Sequence, residues 1–169
     1  MKAAVLTVSD RVTAGSAVDR SGPAVRAGLE ALDFTVADHR VVADGVETVA
    51  AALRTWVDDG MALIVTTGGT GFSPRDLTPE ATREVIDRDA PGIAEAMRWA
   101  SMGHGPHGML SRAVSGIAGR TLIINLPGSL RGVEECLAAV GPALRHGVQL
   151  VIGMESDHNS TRQPPAPPE

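Results

Sequence analysis

The stretch from Leu63 to Thr82, LIVTTGGTGFSPRDLTPEAT, limits what this chain can fold into more than any other part of it. Leu63-Ile64-Val65 is a short apolar run of the kind that forms a strand buried on both faces, and it stops abruptly at Thr66-Thr67-Gly68-Gly69-Thr70-Gly71. Glycines there can take positive φ and leave backbone N–H groups uncovered, which is how a backbone makes a nest for an anion. Arg75 and Asp76 follow at once. Thr78-Pro79-Glu80-Ala81 then opens a helix, with Thr78 predicted as the N-cap and Pro79 at the first helical position. A loop between a strand end and a helix N-terminus is where open α/β sheets bind ligands and where phosphate is favoured. Neither GxxxxGK[ST] nor GxGxxG is present, so the P-loop and dinucleotide fingerprints are both excluded for this loop.

The flanking pattern extends the same architecture. Ala3 to Val8 is an apolar run with a polar tip at Ser9-Asp10-Arg11 and reads as a first strand; Val12 to Arg20 reads as a loop. Ser21-Gly22-Pro23 looks like a helix entrance, and Val25, Leu29 and Leu32 recur at helical spacing to about Asp33. Phe34 to Val42 is the second predicted strand, and Val46 to Asp59 the second long helix, with Val49, Leu53, Trp56 and Val57 on one face. Strand, helix, strand, helix, strand implies right-handed crossovers and a three-layer α/β/α domain around a mostly parallel sheet. It also brings the tips Ser9-Asp10-Arg11, Asp44 and Gly68 to Gly71 to one edge of that sheet.

Beyond TPEA, a helix is predicted to about Arg88, then, after Pro91-Gly92, another carrying Ile93, Met97 and Trp99 to about Met102. Gly103 to Gly108 reads as a flexible break. Its His104 and His107, with no third ligand in the pattern, read as loop residues rather than a metal pair. Met109 to Val114 and Arg120 to Leu126 suit a hairpin around Ser115 to Gly119 that adds an antiparallel edge strand. A last helix through Val133, Cys136, Leu137, Val140, Leu144, Val148 and Val151 contains Pro142, a candidate kink. The domain is expected to span 1–153, with 154–169 a proline-rich disordered tail.

Composition narrows the function. The chain of 169 residues has a net charge of −5, and its 15 basic residues are spread without a basic run, which argues against nucleic acid as a partner. Two Phe, two Trp and no Tyr leave few platforms for base stacking. Cys136 is the only cysteine, so no intrachain disulfide can form, and it reads as a core residue. No long apolar segment and no signal peptide is evident, so the expected place is the cytoplasm, with no membrane partner.

TTGGTG, RD and TPEA, together with VSDR at Val8 to Arg11, DRSGP at Asp19 to Pro23, APG at Ala90 to Gly92, LSR at Leu110 to Arg112, and TLIINLPGS at Thr121 to Ser129 followed by Glu135-Cys136, resemble the molybdopterin adenylyltransferase family in order and over essentially all of the chain except the tail. That family comprises the MogA and MoaB proteins and the matching domain of gephyrin. The resemblance implies transfer of AMP from Mg-ATP to the terminal phosphate of molybdopterin, releasing pyrophosphate. It implies a homotrimer too, and a molybdenum-insertion protein as a further partner. A relative that binds molybdopterin or a nucleotide without transferring AMP is the alternative within the same fold; a scaffold that recruits a partner through the proline-rich tail is a third.

Adenylyl transfer brings two multiply charged phosphates together, so its site needs anion nests, cations and a carboxylate-held Mg²⁺ more than a covalent nucleophile. Thr67, Gly68, Gly69, Thr70 and Gly71 are the candidate nucleotide loop, with Pro127, Gly128 and Ser129 the second one. Asp76 and Asp44 are the candidate catalytic carboxylates and Mg²⁺ ligands. For Asp44 the ordinary alternative is capping the helix that starts near Val46; for Asp76 it is a salt bridge to Arg75 or a turn hydrogen bond. Ser111 and Arg112 on one rim, and Ser9, Arg11, Asp19 and Ser21 on the other, are expected to meet the pterin and its phosphate, against ordinary capping or turn roles for the serines.

Overall fold

The computed structural model describes residues 1–154, so the predicted tail, Met154 aside, lies outside the described residues. Six strands form one sheet in the order β2-β1-β3-β6-β5-β4. β1 (Lys2–Val8), β2 (Thr35–Val42), β3 (Leu63–Thr67) and β6 (Thr121–Leu126) run parallel; β5 (Ser115–Ala118) runs antiparallel to both β6 and the two-residue edge strand β4 (Arg88–Asp89).

The central strands show no polar alternation because both of their faces are covered. Ala3, Val5, Leu63, Val65, Leu122 and Ile124 turn to one side, where they pack with Val25 and Leu29 of α2 (Ser21–Ala31), Met97 of α5 (Pro91–Met102) and the Val133, Val140, Leu144 and Val148 stripe of α6 (Leu130–Val151). Ala4, Leu6, Ile64 and Ile123 turn to the other, against Val49, Leu53 and Trp56 of α3 (Val46–Asp58) and Ala81 of α4 (Thr78–Arg83). The expected three layers are present.

Four local expectations change. Residues 10–13, read as the polar tip of the first strand and the beginning of the loop after it, form the single helical turn α1 (Asp10–Thr13), whose start is capped by Ser9 Oγ accepting from Val12 N at 3.3 Å. α4 ends at Arg83 rather than near Arg88, because the chain then turns to strand pairing: Asp87 N donates to Ile117 O and Ala90 N to Ser115 O. Thr78 does not cap α4. It is the first helical residue, and its buried hydroxyl donates to Gly68 O instead.

The hairpin also has a different register. Met109 and Leu110 finish a 3₁₀ turn (Pro106–Leu110), and the segment read as the bend is β5 itself. Gly116 permits this, since a Cβ there would stand 2.8 Å from Arg88 O, and Gly119 at φ +55° makes the reversal into β6.

Candidate active site

Parallel pairing puts the carboxyl ends of β1, β2 and β3 at one edge, and three loops interlock there. The Asp10 and Asp44 carboxylates each accept the other residue's backbone N–H, at 2.7 Å for Asp10 N to Asp44 Oδ2 and 3.0 Å for Asp44 N to Asp10 Oδ1. Arg75, from beyond the glycine loop, forks onto Asp10 at 2.9 and 3.0 Å and also donates to Asp44 O. The Arg75 hydrogen bond holds the Asp10 carboxyl below the usual carboxylate range, outweighing the effect of desolvation. Asp44 therefore does not cap α3, whose N-cap is Gly45 with no side-chain bond. Arg75 pairs with Asp10 rather than with Asp76. Asp76 makes the turn hydrogen bond, its Oδ2 accepting from Ser73 N at 2.9 Å.

The glycine loop is built as a nest, with two corrections to its reading. Gly68 and Gly69 take φ of +102° and +62°, whereas Gly71 keeps an ordinary negative-side backbone. Gly68 N is used up on Leu126 O at 3.2 Å. Among the described residues, the N–H groups of Gly69, Thr70 and Gly71 have no protein acceptor, so these three are the open donors. From below, Thr78 holds the loop by its hydroxyl to Gly68 O at 2.9 Å and its N–H to Gly69 O at 3.1 Å.

From the side, Arg112 donates to Gly71 O at 2.7 Å, to Asp76 O and to the Glu80 carboxylate, while its own N–H reaches Thr70 O at 2.9 Å. Burial pushes the Glu80 carboxyl up, but the Arg112 hydrogen bond and charge outweigh it and hold the carboxyl below its ordinary value. Arg112 is thus a brace for the nest, and its guanidinium is committed within the protein.

The second loop leans on the first. A Cβ on Gly128 would lie 3.1 Å from Gly68 Cα, and the buried Thr67 hydroxyl donates to Pro127 O at 2.7 Å, so that hydroxyl joins the two loops instead of facing a ligand. Ser129 Oγ caps α6 by accepting from Gly132 N at 3.1 Å.

Together these loops line a cleft of about 620 Å³, into which Ser9, Asp44, Gly68, Gly69, Asp76, Gly128 and Ser129 converge. Arg11 and Arg20 line it too, and both are exposed and make no ion pair among the described residues. A second pocket, of about 270 Å³, opens on the far side of the Pro127–Ser129 loop and shares Ser129 with the cleft. Ser111, Asn125, Met97, Ala113 and Cys136 contribute to its wall.

The six residues expected around the pterin are therefore divided. Ser111 lines the smaller pocket, Ser9, Arg11, Asp19 and Ser21 line the cleft, and Arg112 lines neither. Burial pushes the Cys136 thiol up, in keeping with a packing role. His104 lies 3.8 Å from Glu135, and among the described residues no group of three metal-ligating side chains occurs.

Sequence reading placed Asp10 at this edge without a role, and it left out Arg20 and Asn125. The buried Asn125 amide donates to Thr66 Oγ1 at 3.1 Å and Thr82 Oγ1 at 2.9 Å and accepts from Val114 N at 3.3 Å, tying β6 to β3 and α4 beside the smaller pocket. A buried asparagine inside an apolar strand, TLIINL, was the available signal.

Magnesium at phosphate sites is held by one or two carboxylates, with phosphate oxygens and water completing its shell. Asp44 and Asp76 fit that demand. Each has one carboxylate oxygen, Oδ1, with no protein donor among the described residues, and both flank the nest: a Cβ on Gly69 would stand 3.1 Å from Asp44 Oδ1, and one on Gly71 2.8 Å from Asp76 Oδ2.

The family model described as a probable molybdopterin binding domain matches residues 4–146. The chain belongs to this family. A molybdopterin adenylyltransferase of Helicobacter pylori J99 is 41% identical over 155 residues, which cover 88% of this chain and 86% of that protein. The crystal structure of the molybdopterin biosynthesis enzyme MoaB from Thermus thermophilus superposes with a TM-score of 0.86 at 47% identity, covering 90% of this chain and 96% of that one. Gephyrin of Dictyostelium discoideum is 41% identical over 157 residues, but there the chain spans only 22% of the relative's length.

Proposed function

We propose that this protein catalyses Mg-ATP-dependent adenylylation of molybdopterin in molybdenum cofactor biosynthesis. An oxygen of the molybdopterin phosphate forms a bond to the α-phosphorus of ATP, the bond from that phosphorus to the β-phosphate oxygen breaks, and pyrophosphate leaves. The observation that carries the reading is the convergence, on one cleft, of the glycine loop with its open Gly69 N–H, two carboxylates that flank it and two arginines that make no ion pair among the described residues, with Ser129 shared by an adjoining pocket.

Each part has a task in that reaction. Gly69, Thr70 and Gly71 donate to phosphate oxygens, where preorganised donors stabilise charge without rearranging. Arg11 and Arg20 supply positive charge at the mouth. Asp44 and Asp76 hold Mg²⁺, which when bound neutralises the triphosphate and the leaving pyrophosphate. The smaller pocket receives the pterin, with Met97 and Ala113 as apolar walls and Ser111 and Asn125 as polar ones, so that the pterin phosphate and the nucleotide meet at Ser129.

The protein works as a homotrimer in the cytoplasm and passes its product to a molybdenum-insertion protein. Trp99, Met102, Met109 and Leu110, which are exposed on α5 and the 3₁₀ turn, support self-association. Incubation with Mg-ATP and molybdopterin should release pyrophosphate, and Asp76→Asn should lower turnover by orders of magnitude with the fold intact. Wild-type protein that binds both substrates and releases no pyrophosphate would establish the binding-only alternative instead.

A further inference from the structure

His39 has no place in the reaction just described, yet its ring stands against the wall of the cleft. It lies on β2 opposite Val5 of β1, so it shares the α2 face of the sheet with Thr7. Its Nε2 is 3.1 Å from Thr7 Oγ1 and 3.3 Å from Asp19 Oδ2, and Thr7 Oγ1 is 2.7 Å from the same Asp19 oxygen. His39 and Asp19 side chains are 19% and 12% exposed, so the cluster is largely shielded from water.

The proton positions follow from the donor inventory. Thr7 has one hydroxyl hydrogen, and the short contact directs it to the Asp19 carboxylate, which can only accept. Both oxygens facing Nε2 are then acceptors, so Nε2 carries the hydrogen and donates to them.

The other Asp19 oxygen, Oδ1, accepts from Gly22 N at 2.9 Å and from the Ser21 hydroxyl at 3.4 Å. Asp19 therefore joins the start of α2 to β1 and β2. The cluster closes around a glycine: a Cβ on Gly22 would fall inside 3.0 Å of His39 Nε2, Thr7 Oγ1 and Asp19 Oδ2.

Arg20 sits between these anchored residues. Among the described residues the N–H groups of Val18, Asp19 and Arg20 have no backbone acceptor, so the Asp19 side chain is the tether for this part of the wall. Arg20 itself is exposed, lines the cleft and has no ionic partner among the described residues.

We infer that His39 is a positioning residue for the anion-binding wall: its Nε2–H fixes Asp19, Asp19 fixes the backbone on both sides of Arg20, and Arg20 receives a phosphate of the nucleotide. The last step rests on the nucleotide reading of the cleft; the first two rest on the geometry alone.

Two amide substitutions test it. In His39→Gln the side chain places an amide N–H near the position of Nε2, whereas the shorter side chain of His39→Asn does not reach it. Titration calorimetry with Mg-ATP should show His39→Gln binding within about twofold of wild type and His39→Asn about tenfold weaker, the size of one lost hydrogen bond to a charged group. In a double-mutant cycle, adding His39→Asn to Arg20→Gln should weaken binding little further, because both act through one residue. Equal affinities for the Gln and Asn variants, or effects that simply multiply, would overturn the inference.

Limited trypsin digestion provides a ligand-free arm. Cleavage after Arg20 should be faster in His39→Asn than in wild type or His39→Gln, and an unchanged rate overturns the tether. Wild-type protein that does not bind Mg-ATP would refute the nucleotide reading, and the trypsin arm would then decide by itself whether His39 holds the wall.

Discussion

Replacing Gly68 by alanine tests whether the glycine loop is held against the tip of β1 as closely as the geometry requires. Gly68 has φ +102°, a region that residues with a Cβ rarely occupy, and holding one there costs about 1–3 kcal/mol. The added Cβ would also fall inside 3.0 Å of Val8 O. That oxygen belongs to the backbone of β1, next to Ser9 and Asp10, so it cannot rotate away as a side chain would. Forcing an atom into such a contact adds about 1–3 kcal/mol.

Gly15 is the matched control, with φ +72° and nothing within 4 Å of the place an added methyl would take. Its alanine variant carries only the backbone cost, about 1 kcal/mol. For a chain of this size each kcal/mol shifts Tm by about 2–4 °C, so Gly15→Ala should lose a few degrees and Gly68→Ala about 10 °C. Thermal melts followed by circular dichroism, paired with Mg-ATP titrations, measure both consequences. Binding should survive Gly15→Ala and fall more than about tenfold in Gly68→Ala, because the nest and the Asp10–Asp44 bracket move together. Equal Tm losses for the two variants would refute the close approach of loop and strand.

Two other perturbations probe the braces under the nest. Thr78→Val removes the buried hydroxyl that donates to Gly68 O and should cost about 1–3 kcal/mol in urea denaturation, while Thr78→Ser, which keeps the donor, should recover most of it. For the Arg112–Glu80 brace, the folded Glu80 carboxyl lies below its ordinary value, so its stabilising contribution is complete above the unfolded carboxylate range, at about pH 4.3, and is lost as pH falls through the folded value. The Asp10–Arg75 pair has the same sign. Melts taken between roughly pH 3 and pH 7 should be flat near neutrality and fall on acidification, and Glu80→Gln should make that fall shallower; an identical acid limb in the variant would show that Glu80 contributes nothing.

Much of the layer structure was legible in the sequence because it rests on local or averaged properties. Unbroken apolar runs such as AAVL and LIV can be buried only between two helical layers, and the helix faces of Val49, Leu53 and Trp56 or Val133, Val140 and Leu144 follow from a 3.6-residue period. The hairpin register was not legible. Met109 to Val114 is as apolar as a strand, and only the fit of Gly116 against Arg88 O decides that pairing starts at Ser115. The end of α4 escaped for a related reason, since Asp87 and Ala90 leave the helix to reach carbonyls of β5, far along the chain.

Within the site, the sequence by itself determined which residues gather at the sheet edge. A glycine run after a buried strand, a carboxylate beside it and a proline-led helix start are constrained by backbone sterics and capping, which act over a few residues. Tertiary structure decided what each side chain does. Arg75 pairs with Asp10 rather than its neighbour Asp76, Arg112 braces the nest rather than facing a ligand, Asp19 is consumed by Thr7, His39 and Gly22, and the cleft and the smaller pocket divide the residues expected around the pterin. A hydrogen-bonding group takes whichever partner the strand order sets within about 3 Å of it, and the order β2-β1-β3-β6 brings together residues that lie 30 to more than 60 positions apart in the chain, as in the 34 between Asp10 and Asp44 and the 65 between Asp10 and Arg75.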